Sequence, residues 1–125
     1  MNLRKILRLA TMLTAIIGFH APASAGDVEI VEATARKSGD NWTFSVTLKH
    51  GDTGWDHYAD LWQVYAPDGT LLGERVLLHP HVEEQPFTRS LSGVVVPDDL
   101  DEVVIRARDT VHGVSPQEYR LKLPR

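Results

Sequence analysis

Six histidines and no cysteine stand in the 125-residue sequence, and five of the six, His50, His57, His79, His81 and His112, fall after residue 25. Imidazole suits Zn2+, Cu2+ and Ni2+, whereas Cu+ and iron–sulfur clusters ask for thiolate or thioether ligands. His79-Pro80-His81 carries two imidazoles two residues apart. Proline restricts the backbone between them, and in an extended segment alternate residues project to the same side. Both rings can then face one point. His57 or His112 would supply a third nitrogen, with His50, Asp56 and Asp60 in support and Asp52, Glu83 and Glu84 nearby as carboxylates. Zn2+ or Cu2+ is the ion such a set would hold, at metal–nitrogen distances of about 2.0–2.1 Å. The same residues have a plainer reading. An isolated His-x-His is a weak motif, polar loops collect histidine, His79 could close a strand, and His57 could hydrogen-bond Asp60.

Other chemistries find less support. No G-x-S-x-G elbow accompanies Ser90 or Ser115, as a hydrolase nucleophile would require. Glu83 and Glu84 are adjacent, so in an extended chain they point apart. There is no phosphate-binding glycine loop and no dinucleotide fingerprint. The absence of cysteine removes disulfides, thiolate metal sites and thiol nucleophiles together. Acidic residues exceed basic ones by 17 to 13, so the electrostatic footprint of a nucleic-acid binder is missing. A binding module rather than an enzyme is expected.

The elements that must position these residues divide the chain in two. Residues 1–25 open with Arg4, Lys5 and Arg8, continue through an apolar stretch from Leu9 to about Phe19, and close on Ala23-Ser24-Ala25. That is the pattern of a cleaved secretory signal peptide, and its apolar run is too short for the ~20 residues of a spanning helix. Cleavage before Gly26 would leave residues 26–125 as one domain, with ten cations against 17 acids and neither methionine. No membrane span would remain after cleavage, and no cysteine near the cleavage site could carry a lipid anchor.

Residues 26–125 alternate with period two. Trp42-Thr-Phe44-Ser-Val46-Thr-Leu48 puts large apolar residues on one face, the mark of a half-buried strand. Val103, Ile105 and Ala107 repeat the pattern, as do Tyr119, Leu121 and Leu123. Strands are predicted over 28–36, 41–49, 61–66, 70–78, 88–96, 102–109 and 118–123, with turns at Ser38–Asn41, Pro67–Thr70 and Pro97–Asp101. No long helix is predicted.

Seven short strands with Trp62 inward on the third resemble an immunoglobulin-like or fibronectin-III-like β-sandwich. The resemblance implies that the loops holding His50 and His57, His79 and His81, and His112 gather at one end. The stretches Gly54–Trp62 and Leu78–Ser90 also resemble small periplasmic proteins of Gram-negative bacteria, a likeness that carries no functional residue over. Two further surfaces follow from the pattern. Trp55 and Tyr58 lie in the Gly51–Asp60 loop, where exposed aromatics form contact surfaces and buried ones plug an open end; Trp55 is expected to plug. Strand parity places Arg106, Arg108, Arg120 and Lys122 outward on two neighbouring strands, as a basic face for an acidic partner or as solvated edge charge. The expected function is an exported periplasmic binding module, with a divalent transition metal at the histidine pole. The alternative is a metal-free interaction domain that meets a periplasmic protein or small ligand through the Gly51–Asp60 loop or the basic face.

Overall fold

The computed structural model describes residues 26–125, and the expected signal peptide lies outside them. Eight strands build the chain: β1 (Glu29–Ser38), β2 (Asn41–Lys49), β3 (Ala59–Tyr65), β4 (Leu71–Val76), β5 (Phe87–Val94), β6 (Glu102–Asp109), β7 (Gly113–Val114) and β8 (Tyr119–Lys122). They form two antiparallel sheets, one ordered β1-β2-β5, the other β4-β3-β6 with both β7 and β8 paired to the far edge of β6. The protein is therefore an all-β sandwich without a helix among the described residues.

Alternation decides what lies between the sheets. From β2, Trp42, Phe44, Val46 and Leu48 are buried, and from β6 Val103, Ile105 and Ala107 meet them. Trp62 on β3 is fully buried in the same cluster. On the outer face of the first sheet, Thr43, Ser45 and Thr47 pair their hydroxyls with Ser92, Ser90 and Thr88 at 3.3, 2.8 and 2.7 Å, the cross-strand polar pairing that suits a solvated face. The Pro67–Thr70 hairpin forms as expected: Ala66 N–H donates to Thr70 O at 2.8 Å, and Gly69 takes φ 91°, which a residue with a Cβ rarely adopts.

The strand ends depart from the periodicity. The third strand starts two residues earlier than expected, at Ala59, which is buried and pairs with Asp109 across a bulge. The fourth stops at Val76; Leu77 stays buried with its N–H on Asp60 O at 2.9 Å, and Leu78 is exposed. The last predicted strand forms as β8, and a two-residue strand that the periodicity does not announce, β7, precedes it on the same edge of β6; Pro116, which has no N–H to give a ladder, lies between the two. The result that matters for the site is topological. The end of β2, the end of β6 and the start of β1 all reach the same rim, since Glu29 pairs with Lys49 and Ala59 with Asp109.

Candidate metal-binding pole

At that rim two strands extend their inward parity by one polar residue. His50 follows Leu48 on β2 and Asp109 follows Ala107 on β6, and both side chains are fully buried. A buried carboxylate needs donors. Asp109 receives them on one oxygen: Oδ1 accepts the backbone N–H of Val111 at 2.9 Å and of His112 at 2.8 Å, and it lies 3.1 Å from His57 Nε2 and 3.1 Å from His112 Nδ1. Its other oxygen, Oδ2, is buried and has no hydrogen-bond partner. Burial raises the Asp109 pKa, but the N–H groups of His112 and Val111 and the His112 ring outweigh it, and the carboxyl is held below the ordinary value.

Three imidazoles adjoin this carboxylate. His50 and His57 meet edge to face with centroids 4.7 Å apart, and His57 and His112 lie 4.9 Å apart. His57 is brought in by a tight reversal, with its carbonyl accepting from Thr53 N–H at 3.0 Å and its N–H donating to Gly54 O at 3.2 Å. His50 sets Nε2 2.7 Å from Gly26 O and Nδ1 against Asp52. Asp52 in turn accepts the N–H of Ala59 on Oδ1 at 3.0 Å and of His81 on Oδ2 at 2.8 Å. Two sets of possible ligand atoms result, His50/His57/Asp109 and Asp27/Asp109/His112, each within 4.8 Å and both sharing Asp109.

The histidines predicted as ligands thus part company. His57 and His112 come together with His50, whereas His79 and His81 form a pair of their own and belong to neither set. Their rings are 4.5 Å apart and tilted by 34°. His81 is buried flat on Phe87, with centroids 3.9 Å apart and planes 9° apart. Arg89 Nη2 approaches His81 Nε2 at 2.9 Å, and the guanidinium, having only donors, makes that nitrogen the acceptor of a neutral ring. Burial, followed by the charges of Arg89 and His79, pushes the His81 pKa down. His79 turns Nδ1 to Pro80 O at 3.0 Å.

The carboxylates expected in support are also elsewhere. Asp60 is gripped by Arg108, Nε to Oδ1 at 3.1 Å and Nη2 to Oδ2 at 2.8 Å, and this pairing raises the Arg108 pKa. It does not bond His57. Asp56 is exposed at the tip of the loop. Trp55, beside it, does not plug the sandwich: it is 68% exposed and stands edge to face against Tyr58, with centroids 5.6 Å apart. The predicted basic face carries its own acids. Arg120 pairs with Glu102 at 2.7 Å, with Glu118 3.9 Å away, and Arg106 donates to Ser115 O at 3.1 Å. Lys122 is exposed at the end of β8. A groove of about 260 Å³ opens on that face between Tyr65, Arg106 and Arg120.

Sequence reasoning did not single out Asp109, Asp27 or Gly26 and gave His50 a minor part. The signal was present for two of them, because His50 and Asp109 sit one inward step beyond the last apolar residue of their strands.

No protein-family profile matches the sequence. Over 92 residues, 73% of this chain, the sequence is 44% identical to a protein of Halomicrobium mukohataei named "Putative lipoprotein". The match takes in 45% of that protein, so this chain spans less than half the length of its relative. Among solved structures, a hypothetical protein from Pyrococcus horikoshii OT3 superposes with a TM-score of 0.56 at 12% identity, covering 82% of this chain and 94% of that one. A superoxide reductase in its oxidized state superposes with a TM-score of 0.53 at 13% identity, covering 79% of this chain and 90% of that one. At such identities the likeness is one of fold.

Proposed function

We propose that the chain is an exported binding module that holds one divalent transition-metal ion, Zn2+ or Cu2+, at the rim where His50, His57 and His112 meet Asp109. The observation that carries this reading is the Asp109 carboxylate, buried, with two backbone N–H groups and two imidazole nitrogens around one oxygen and no partner on the other. An unpaired buried acceptor costs about 1–3 kcal/mol, and more when it is charged. A cation held by that carboxylate and by neutral imidazole relieves the cost. Asp52 behind His50 is the carboxylate partner that orients a ligating imidazole and raises its basicity. The four groups around Asp109 Oδ1 are backbone N–H or imidazole, so no Lys or Arg among them competes with an ion. Export is supported by the leader-like residues 1–25 and by the relative's name as a lipoprotein.

The test is metal content and calorimetric titration of the full chain's product with ZnSO4 and CuCl2. One equivalent should bind, and a ligand at 100 times its Kd should stabilise the fold by about 2.7 kcal/mol. His57→Ala should abolish the thermal shift, while His79→Ala leaves it. No shift with either ion, or an equal shift in wild type and His57→Ala, overturns the reading.

A second reading rests on Trp55, whose exposure of 68% suits an interaction loop. Binding of a periplasmic partner that Trp55→Ala weakens and a chelator does not would favour it.

A further inference from the structure

Backbone as well as side chains enters the pole, at the point where the described chain begins. Gly26 has φ +113°, and a Cβ built there would lie 2.5 Å from His112 Cε1. His112 is tethered to Asp109 through both its N–H and its ring, so it has little room to retreat. Residue 26 is therefore a glycine whose main chain lies directly against an imidazole. Its carbonyl meets His50 Nε2 at 2.7 Å, and its neighbour Asp27 belongs to the second ligand set with Asp109 and His112. Two of the three imidazoles thus touch this single residue.

Peptide nitrogen and amine nitrogen differ sharply toward metals. A neutral amide nitrogen has its lone pair in resonance with the carbonyl and must lose its firmly held N–H proton before it can ligate, whereas a free α-amine, with an ordinary pKa of about 7.7–8.0, ligates once its far more readily lost ammonium proton is displaced. Amine nitrogen and the carbonyl oxygen of the same residue can also close a five-membered chelate ring. Residue 26 is the residue that cleavage after Ala23-Ser24-Ala25 would leave at the N-terminus.

We infer that removal of the leader before Gly26 arms the metal site, the newly freed α-amine of Gly26 joining the imidazoles of His50, His57 and His112 and the Asp109 carboxylate as a ligand. The inference rests on the metal reading above. It makes metal loading an event that follows export: the uncleaved chain offers an amide at residue 26, and the processed chain an amine. Hydrolysis of the Ala25–Gly26 bond, with one water consumed, produces that amine together with the carboxyl group of the departing leader.

The experiment uses the full chain, exported and purified, beside a variant with one serine inserted between Ala25 and Gly26. Intact mass should show the wild-type product starting at Gly26; another N-terminus overturns the inference. CuCl2 and ZnSO4 titrations should show at least tenfold weaker binding in the insertion variant, and the Cu2+ spin-resonance spectrum should lose one nitrogen coupling. Equal affinity and equal nitrogen count in the two proteins overturn the inference while leaving the metal reading intact, provided His57→Ala still loses the ion. Failure of every form to bind either metal overturns both. Circular dichroism and melting temperature of the insertion variant, expected to match the metal-free wild type, separate loss of a ligand from loss of the fold.

Discussion

His57 and His112 turn ring nitrogens toward a buried carboxylate, while His81, in another loop at the same rim, turns Nε2 toward a guanidinium. The two groups are near neighbours, since Asp52 touches His50 on one side and the N–H of His81 on the other, and Gln85 accepts from His50 N–H while donating to His81 O. Their electrostatics are nonetheless opposite. Beside Asp109, positive charge is favoured and an ion would be welcome. Beside Arg89, the imidazole stays neutral, lies on Phe87 and serves as packing. Histidine count and spacing do not separate these roles, and the charge of the nearest fixed neighbour does.

The comparison breaks most completely at Asp52, on which both groups lean. Asp52→Ala strips a buried partner from His50 and from the amides of Ala59 and His81. A loss of about 3–5 kcal/mol is expected, as for other buried pairs broken on one side, measured by urea unfolding with the slope m compared to wild type. A loss under 1 kcal/mol would show that the two groups stand independently. Next in size is metal affinity. Asp109→Asn should weaken Zn2+ binding by about 100-fold, roughly 2.7 kcal/mol at 1.36 kcal/mol per tenfold, whereas His79→Ala should change it less than twofold. Calorimetry that ranks the two variants the other way would reassign the site to the His79–His81 loop.

Acidification should separate the groups again. His81 has a folded pKa below its ordinary 6.5, so the unfolded chain takes up its proton first. The stability linked to His81 is complete above that value and is lost as the pH falls through it toward the lowered folded one. Thermal melts from pH 7 to pH 5 should therefore show a decline that His81→Gln flattens; an unchanged slope would mean that Phe87 and Arg89 do not hold the ring neutral. Asp109 acts lower on the scale. Its depressed pKa contributes stability present above 3.8 and lost as the pH drops below that value toward the folded pKa. The smallest effect belongs to the loop tip. Trp55→Ala should alter stability by no more than about 0.5 kcal/mol, because the side chain packs on Tyr58 and faces water.

Much of the scaffold is readable in the chain. Trp42, Phe44, Val46 and Leu48 announce β2, and Val103, Ile105 and Ala107 announce β6, because a two-residue period has one structural meaning. The same rule, carried one step further, reaches His50 and Asp109; stopping at the last apolar residue hides them, since a buried polar group looks in sequence like a loop residue. Gly26 and Asp27 carry no such sign. They enter the pole because β1 runs antiparallel to β2, and only the pairing of Glu29 with Lys49 sets their place. Parity also displayed Arg108 and Arg120 without their acids, because Asp60 and Glu102 reach them from other strands and Glu118 at close range along the same edge.

The three tryptophans divide unequally between interior and water: Trp42 and Trp62 are sealed in the core, and Trp55 projects from the loop that delivers His57. The protein therefore carries a built-in optical partition. A collisional quencher such as acrylamide should reach one emitter out of three, giving a Stern–Volmer plot that bends downward. The quenched fraction would follow the rim, and the shielded fraction would follow the sandwich beneath it.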